Sequence, residues 1–87
     1  MSDERKVRRV LLLSDFFRGL GEVDGARLRR TMRGMLDRDD TIPDRVLILH
    51  SIDETWPAAT RPAAAQRVAD FYIERPDVAD RPGAYGP

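Results

Sequence analysis

The stretch VLILHSI, residues 46–52, decides the fold class. Read as a buried strand, it places a β-element in a chain whose other patterns are helical. Read as a helix, it makes the protein all-α. A short apolar run cannot be typed by its own periodicity, so its surroundings must type it. Upstream, Thr41-Ile42-Pro43-Asp44 offers two candidate capping side chains, Thr41 and Asp44, and a proline suited to the first turn of a helix. Val46, Leu49, Ile52 and Trp56 recur at helical spacing. Pro57 then stops the pattern, because the residue before a proline is pushed out of the helical region. There is no second convincing strand to satisfy the hydrogen bonds of a first. The reading is therefore a helix over residues 43–55.

The elements on either side follow the same logic. DRDDTIPD, residues 37–44, is a polar loop, and before it residues 25–37 form a helix with Asp24 as its N-cap. Its apolar stripe is Leu28, Met32, Met35 and Leu36; Arg29, Arg30 and Arg33 share another face, and Arg27 lies near the remaining edge. Gly34 sits inside this helix at a cost of about 1 kcal/mol relative to alanine. On the C-terminal side, PAATRP is a turn, Thr60 is the candidate cap and Pro62 lies in the first turn of a helix over residues 61–75. Ala64, Ala65, Val68, Phe71 and Tyr72 line one side of that helix, and Pro76 ends it. Residues 76–87, PDVADRPGAYGP, read as a Pro/Gly-rich flexible tail on a helical domain of residues 1–75, with Val78 or Tyr85 able to dock.

The first helix is predicted over residues 4–18, within the most apolar segment, VRRVLLLSDFFRGL, residues 7–20, with Gly19 and Gly21 ending it. Val10, Leu13, Phe17 and Leu20 fall on one side; Val7 and Leu11 extend that side one way, Leu12 and Phe16 the other. Only a strip through Arg8, Asp15, Arg18 and Gly19 is left for water. A helix this apolar is normally covered by several neighbours. The expected architecture is a small all-α bundle of four short helices whose short connections favour antiparallel neighbours.

Composition bounds the function. A chain of 87 residues forms one domain and buries only about 60–65% of its unfolded surface. The hydrophobic fraction of 41% and charged fraction of 34% belong to an ordered globular protein. The absence of cysteine excludes disulfides and cysteine metal sites. Apolar runs such as Val10–Leu13 fall far short of the ~20 residues that span a bilayer, and the N-terminal MSDERKVRR has no apolar signal region, so the expectation is a cytoplasmic protein without a membrane partner. All basic residues but Lys6 are arginine, which a GC-rich coding sequence explains as well as phosphate recognition does. The net charge is zero but unevenly spread: residues 1–38 hold ten basic and six acidic residues, and residues 39–87 hold five and nine. Such asymmetry suggests an anionic partner or a complementary assembly.

Three apparent motifs dissolve on inspection. Asp37, Asp39, Asp40 and Asp44 open like a calcium loop, but Ile42 stands where glycine is required and Ile48 where glutamate is, so capping and loop solubility explain them better. GLGEVDG, residues 19–25, has Gly25 one residue late for a dinucleotide fingerprint and follows a helix rather than a strand. His50, the one histidine, stands beside Ser51 and near Asp53 and Glu54; neighbours on a helix point apart, so no catalytic pair results. The expectation is a non-enzymatic protein without cofactor or metal: an adaptor or regulatory interaction module. It would bind another protein, or a second copy as a homodimer, through the edge of helix 1 at Leu12 and Phe16 together with Leu36. The alternative is a DNA-binding regulator using Arg27, Arg29, Arg30 and Arg33, widened by Lys6, Arg8, Arg9 and Arg18 and opposed by the flanking acids Glu22, Asp24, Asp37, Asp39 and Asp40.

Overall fold

The backbone of residues 46–52 is helical, which settles the fold class. A computed structural model describes residues 3–18, 23–78 and 81–83. Four helices follow in order: α1 (Asp3–Arg18), α2 (Gly25–Arg38), α3 (Asp44–Thr55) and α4 (Arg61–Ile73), with a 3-10 turn at Ala58–Thr60 before α4. Among the described residues there is no strand.

Local chemistry accounts for the ends. The Asp24 carboxylate accepts from the N–H groups of Ala26 and Arg27, satisfying two of the orphan donors at the start of α2. The three other candidate caps behave differently, and Thr41 is bonded to Asp39. Pro43 takes the N-cap position of α3, and the carboxylate of Asp44, its first residue, is engaged by Arg9. Thr60 has helical dihedrals, and its hydroxyl donates to the Pro57 carbonyl, tightening the 3-10 turn instead of capping α4. Pro62 lies in the first turn of α4, where a missing N–H is harmless. Gly19, Leu20 and Gly21 lie outside the described residues.

α1 and α2, and α2 and α3, run antiparallel. Asp3 pairs with Arg33 and Lys6 with Asp37, which joins the start of α1 to the end of α2. Arg27 at the start of α2 donates to the Glu54 carbonyl at the end of α3. α2 packs against both α1 and α3, and α4 packs on α3. The core gathers Val10, Leu13 and Phe17 from α1, Leu28, Met32 and Leu36 from α2, Leu47, Ile48, Ile52 and Trp56 from α3 and its end, and Ala64, Val68 and Tyr72 from α4. Each of the larger side chains contributes about 1.5–3 kcal/mol by leaving water. The most enclosed helix is α3 rather than α1: Asp44, Leu47, Ile48, Ser51 and Ile52 all lie at or below 1% exposure. Ser51 is accommodated there because its hydroxyl donates to the Leu47 carbonyl.

One buried cation ties the bundle to its loop. Arg9 lies one turn before Leu13 and two before Phe17, on the core side of α1. Its Nε donates to Asp44 Oδ1 at 2.6 Å, its Nη1 to the Asp40 carbonyl at 3.3 Å and its Nη2 to the Ile42 carbonyl. Gly83, at φ +64°, returns from the C-terminal segment and donates its N–H to the same Asp44 oxygen at 2.9 Å. Val78 also packs against the core, so residues 76–83 reach the body of the bundle at two points.

Candidate interaction surface

Two of the three large apolar side chains that stand exposed among the described residues lie on α1, along the Val7–Leu11 edge rather than the Leu12–Phe16 edge. Phe16 does not stand open: its ring meets Phe71 of α4 edge-to-face at 5.0 Å, and Phe17 at 6.0 Å. Arg75 stacks over the far partner, Phe71, at 3.9 Å. Leu36 is buried in the core at 1% exposure and has no surface to offer. Leu12 is half-buried. The open edge is instead Val7, 45% exposed, and Leu11, 53% exposed, one turn apart. The signal was present in the sequence, because Leu11 lies two residues from Leu13 and so about 200° around the helix.

Val7 and Leu11 sit in a trough between α1 and α2. About 250 Å³ of it is lined by Val7, Val10, Leu11, Arg29, Arg30 and Arg33. It continues into a broader depression of about 760 Å³ reached by Arg8, Leu12, Ser14, Asp15, Arg18 and Arg29. The surface is therefore an apolar strip with charged banks. Single exposed apolar residues are ordinary, but two adjacent ones in a trough mark a patch. Ile73 on α4 is the third large apolar side chain exposed.

The four arginines of α2 singled out in the sequence divide. Arg33 is held by Asp37 at 3.0 Å and Asp3 at 2.7 Å, and Arg27 by the Glu54 carbonyl. Arg29 and Arg30 make no ion pair among the described residues and stand on the bank of the trough. The cations expected to widen a basic patch divide as well: Arg9 is buried and Lys6 reaches Asp37, while Arg8 and Arg18 are exposed. Arg33 keeps its proton more firmly than a free arginine, because Asp37 and Asp3 both stabilise its charge. Conversely, Arg33 first and Lys6 second hold the Asp37 carboxyl below the ordinary aspartate value.

The remaining candidates have structural occupations. The Asp39 carboxylate accepts from the Thr41 hydroxyl and backbone N–H, which lowers its pKa and closes the turn after α2. Asp37 and Asp44 are engaged as described above. Among the described residues no three acidic or histidine side chains converge as metal ligands. His50 is exposed on a groove of about 480 Å³ with Arg30, Arg38 and Glu54. Most of the glycine-rich segment 19–25 lies outside the described residues, and it follows a helix. No helix among the described residues is long and apolar enough to cross a membrane. Compared with protein-family models, curated proteins and solved structures, the chain matches none.

Proposed function

We propose that this chain is a small non-enzymatic interaction module, an adaptor or regulator, that engages another protein or a second copy of itself through the α1/α2 face. The observation that carries the reading is the pair Val7 and Leu11, both near half exposed, set in a trough beside Arg29 and Arg30, which make no ion pair among the described residues. An apolar strip supplies affinity, and charged banks supply orientation and choice of partner. The test is co-purification of the tagged chain from its native host. A protein retained by the wild type should be lost with Leu11→Glu, while circular dichroism shows unchanged helicity. A set of retained proteins that Leu11→Glu leaves unaltered would overturn the reading.

A second reading keeps nucleic acid as the partner, on the ground that Arg29 and Arg30 carry no ion pair among the described residues. Arg27 and Arg33 weaken it, since each already has a carbonyl or carboxylate partner. Retention on duplex DNA that falls steeply with salt, and vanishes in Arg29→Ala/Arg30→Ala/Arg33→Ala, would favour it; weak, salt-independent retention would exclude it.

A further inference from the structure

The exposed stripe of α1 carries a charge order that complements itself when reversed. At about 100° per residue, Glu4, Val7, Arg8, Leu11, Asp15 and Arg18 fall within one arc of about 100°. All six are exposed. Along the helix the stripe reads acid, apolar, base, apolar, acid, base, over about 21 Å from Glu4 to Arg18. Leu11 stands at its midpoint, seven residues from each end.

From this we infer that the occupant of the α1/α2 face is a second copy of the chain, docked through α1 in an antiparallel, two-fold arrangement about Leu11. The inference rests on the reading of this face as an interaction surface. In such a pair, Leu11 meets the second copy's Leu11. Glu4 lies opposite the second copy's Arg18, and Arg18 opposite its Glu4. Arg8 comes within one residue of the second copy's Asp15, and the relation repeats across the axis. A parallel pair would instead stack Glu4 on Glu4, Arg8 on Arg8, Asp15 on Asp15 and Arg18 on Arg18, so like charges select against it. The two-fold operation makes every contact occur twice and closes the assembly at a dimer.

Little has to be surrendered within the monomer. Arg18 bonds Asp15 at 2.8 Å, but both are well exposed, at 83% and 57%, and an exposed pair three residues apart contributes little. Arg29 stands on the α2 bank, where it remains near water at the edge of the contact. The apolar centre is small, formed by Leu11 and the half-buried Leu12, with Val7 opposite the second copy's Asp15, so the dimer is expected to be reversible and concentration-dependent.

Sedimentation equilibrium of the full chain, across the widest accessible concentration range, tests this. The wild type should show a monomer–dimer equilibrium, and Leu11→Glu should leave monomer only. Glu4→Arg and Arg18→Glu should each weaken the dimer by about five- to tenfold, because each places like charges together twice. The double variant Glu4→Arg/Arg18→Glu should recover most of the affinity, since the reversed pair is again complementary. Circular dichroism on each variant separates loss of contact from loss of helix. A chain that stays monomeric throughout, a dimer indifferent to Leu11→Glu, or single variants that the double does not rescue would each overturn the arrangement. A monomer whose co-purified protein is still lost with Leu11→Glu would show that the face serves a different protein, overturning self-association while the broader reading stands.

Discussion

Arg9 enters the bundle where a leucine would be expected, and its company explains why the exchange is tolerated. The guanidinium meets the Asp44 carboxylate and two loop carbonyls, so its charge is matched and three donors are used. A matched buried pair is not in itself a large source of stability, but a half of one is expensive. Asp44→Ala should therefore destabilise the chain by about 3–5 kcal/mol in urea unfolding, since Arg9 would stay buried without its counter-charge. Arg9→Met/Asp44→Leu should recover most of that loss. A full-sized loss in the double variant would mean that the loop needs the bonds themselves. Nothing in the sequence separates Arg9 from Arg8 by type. The separating signal is phase: Arg9 precedes Leu13 and Phe17 at four-residue spacing, whereas Arg8 precedes Leu12 and Phe16. The partner, Asp44, lies far along the chain, and no local pattern announces it.

Asp37 offers a second test at this scale. Its carboxyl is held below the usual value first by the hydrogen bond from Arg33, then by that from Lys6. A group whose folded value is lowered adds stability above its unfolded value, and that stability is lost as pH falls through the folded value. The window therefore lies below about pH 3.9, and the contribution is small because the group is exposed. In a side-chain NMR titration, the Asp37 midpoint should lie below about 3.9, and Arg33→Met should raise it more than Lys6→Met does. The reverse order would contradict the geometry.

At the scale of the element, what was readable depended on whether the cause was local. Four helices follow from spacing, from Asp24 and from prolines 57, 62 and 76, all of which act within a few residues. The caps at Thr41, Asp44 and Thr60 had suitable side chains, but the choice among several partners is made by the folded surroundings. The distinction is measurable. Asp24→Ala should cost about 1 kcal/mol, because two N–H groups lose their acceptor. Thr60→Ala should change stability by less than about 0.5 kcal/mol, because its hydroxyl caps nothing and its one bond is exposed. Equal losses from the two would refute the assigned helix starts. Gly34 had two readings in the sequence, close packing or a weak turn, and the structure decides between them. A Cβ there meets nothing within 4 Å, so Gly34→Ala should raise stability by up to about 1 kcal/mol in thermal or urea unfolding. Likewise, the phase of α1 marks Leu11 as pointing away from Leu13, but the covering of Phe16 could not be read from α1 alone, because Phe71 reaches it from another helix.

At the scale of the whole molecule, the chain is a series of neighbouring helices tied back across the sequence where Phe71 of α4 meets Phe16 of α1 and where the C-terminal segment returns to α3. α1 meets α2, α2 meets α3 and α3 meets α4, so most of the packing is between consecutive elements. The second of these ties is made at Asp44, where the first helix, the α2–α3 loop and the C-terminal segment meet through Arg9, Ile42 and Gly83. A sequence reading that treats residues 76–87 as a tail has no means of finding this junction, since Gly83 contributes only a backbone N–H. Ending the chain after Val78 removes that donor but leaves Arg9 and Asp44 paired. A hydrogen bond to a charged acceptor contributes about 1.5–3 kcal/mol, so the truncated chain should lose stability in that range while keeping its helical content. The loss should also depend on Asp44. Groups sharing one network are not additive, so truncating an Asp44→Asn chain should cost distinctly less than truncating the wild type. Independent losses of equal size in the two backgrounds would mean that the C-terminal segment stabilises the bundle through Val78 and its neighbours and not through the Asp44 junction.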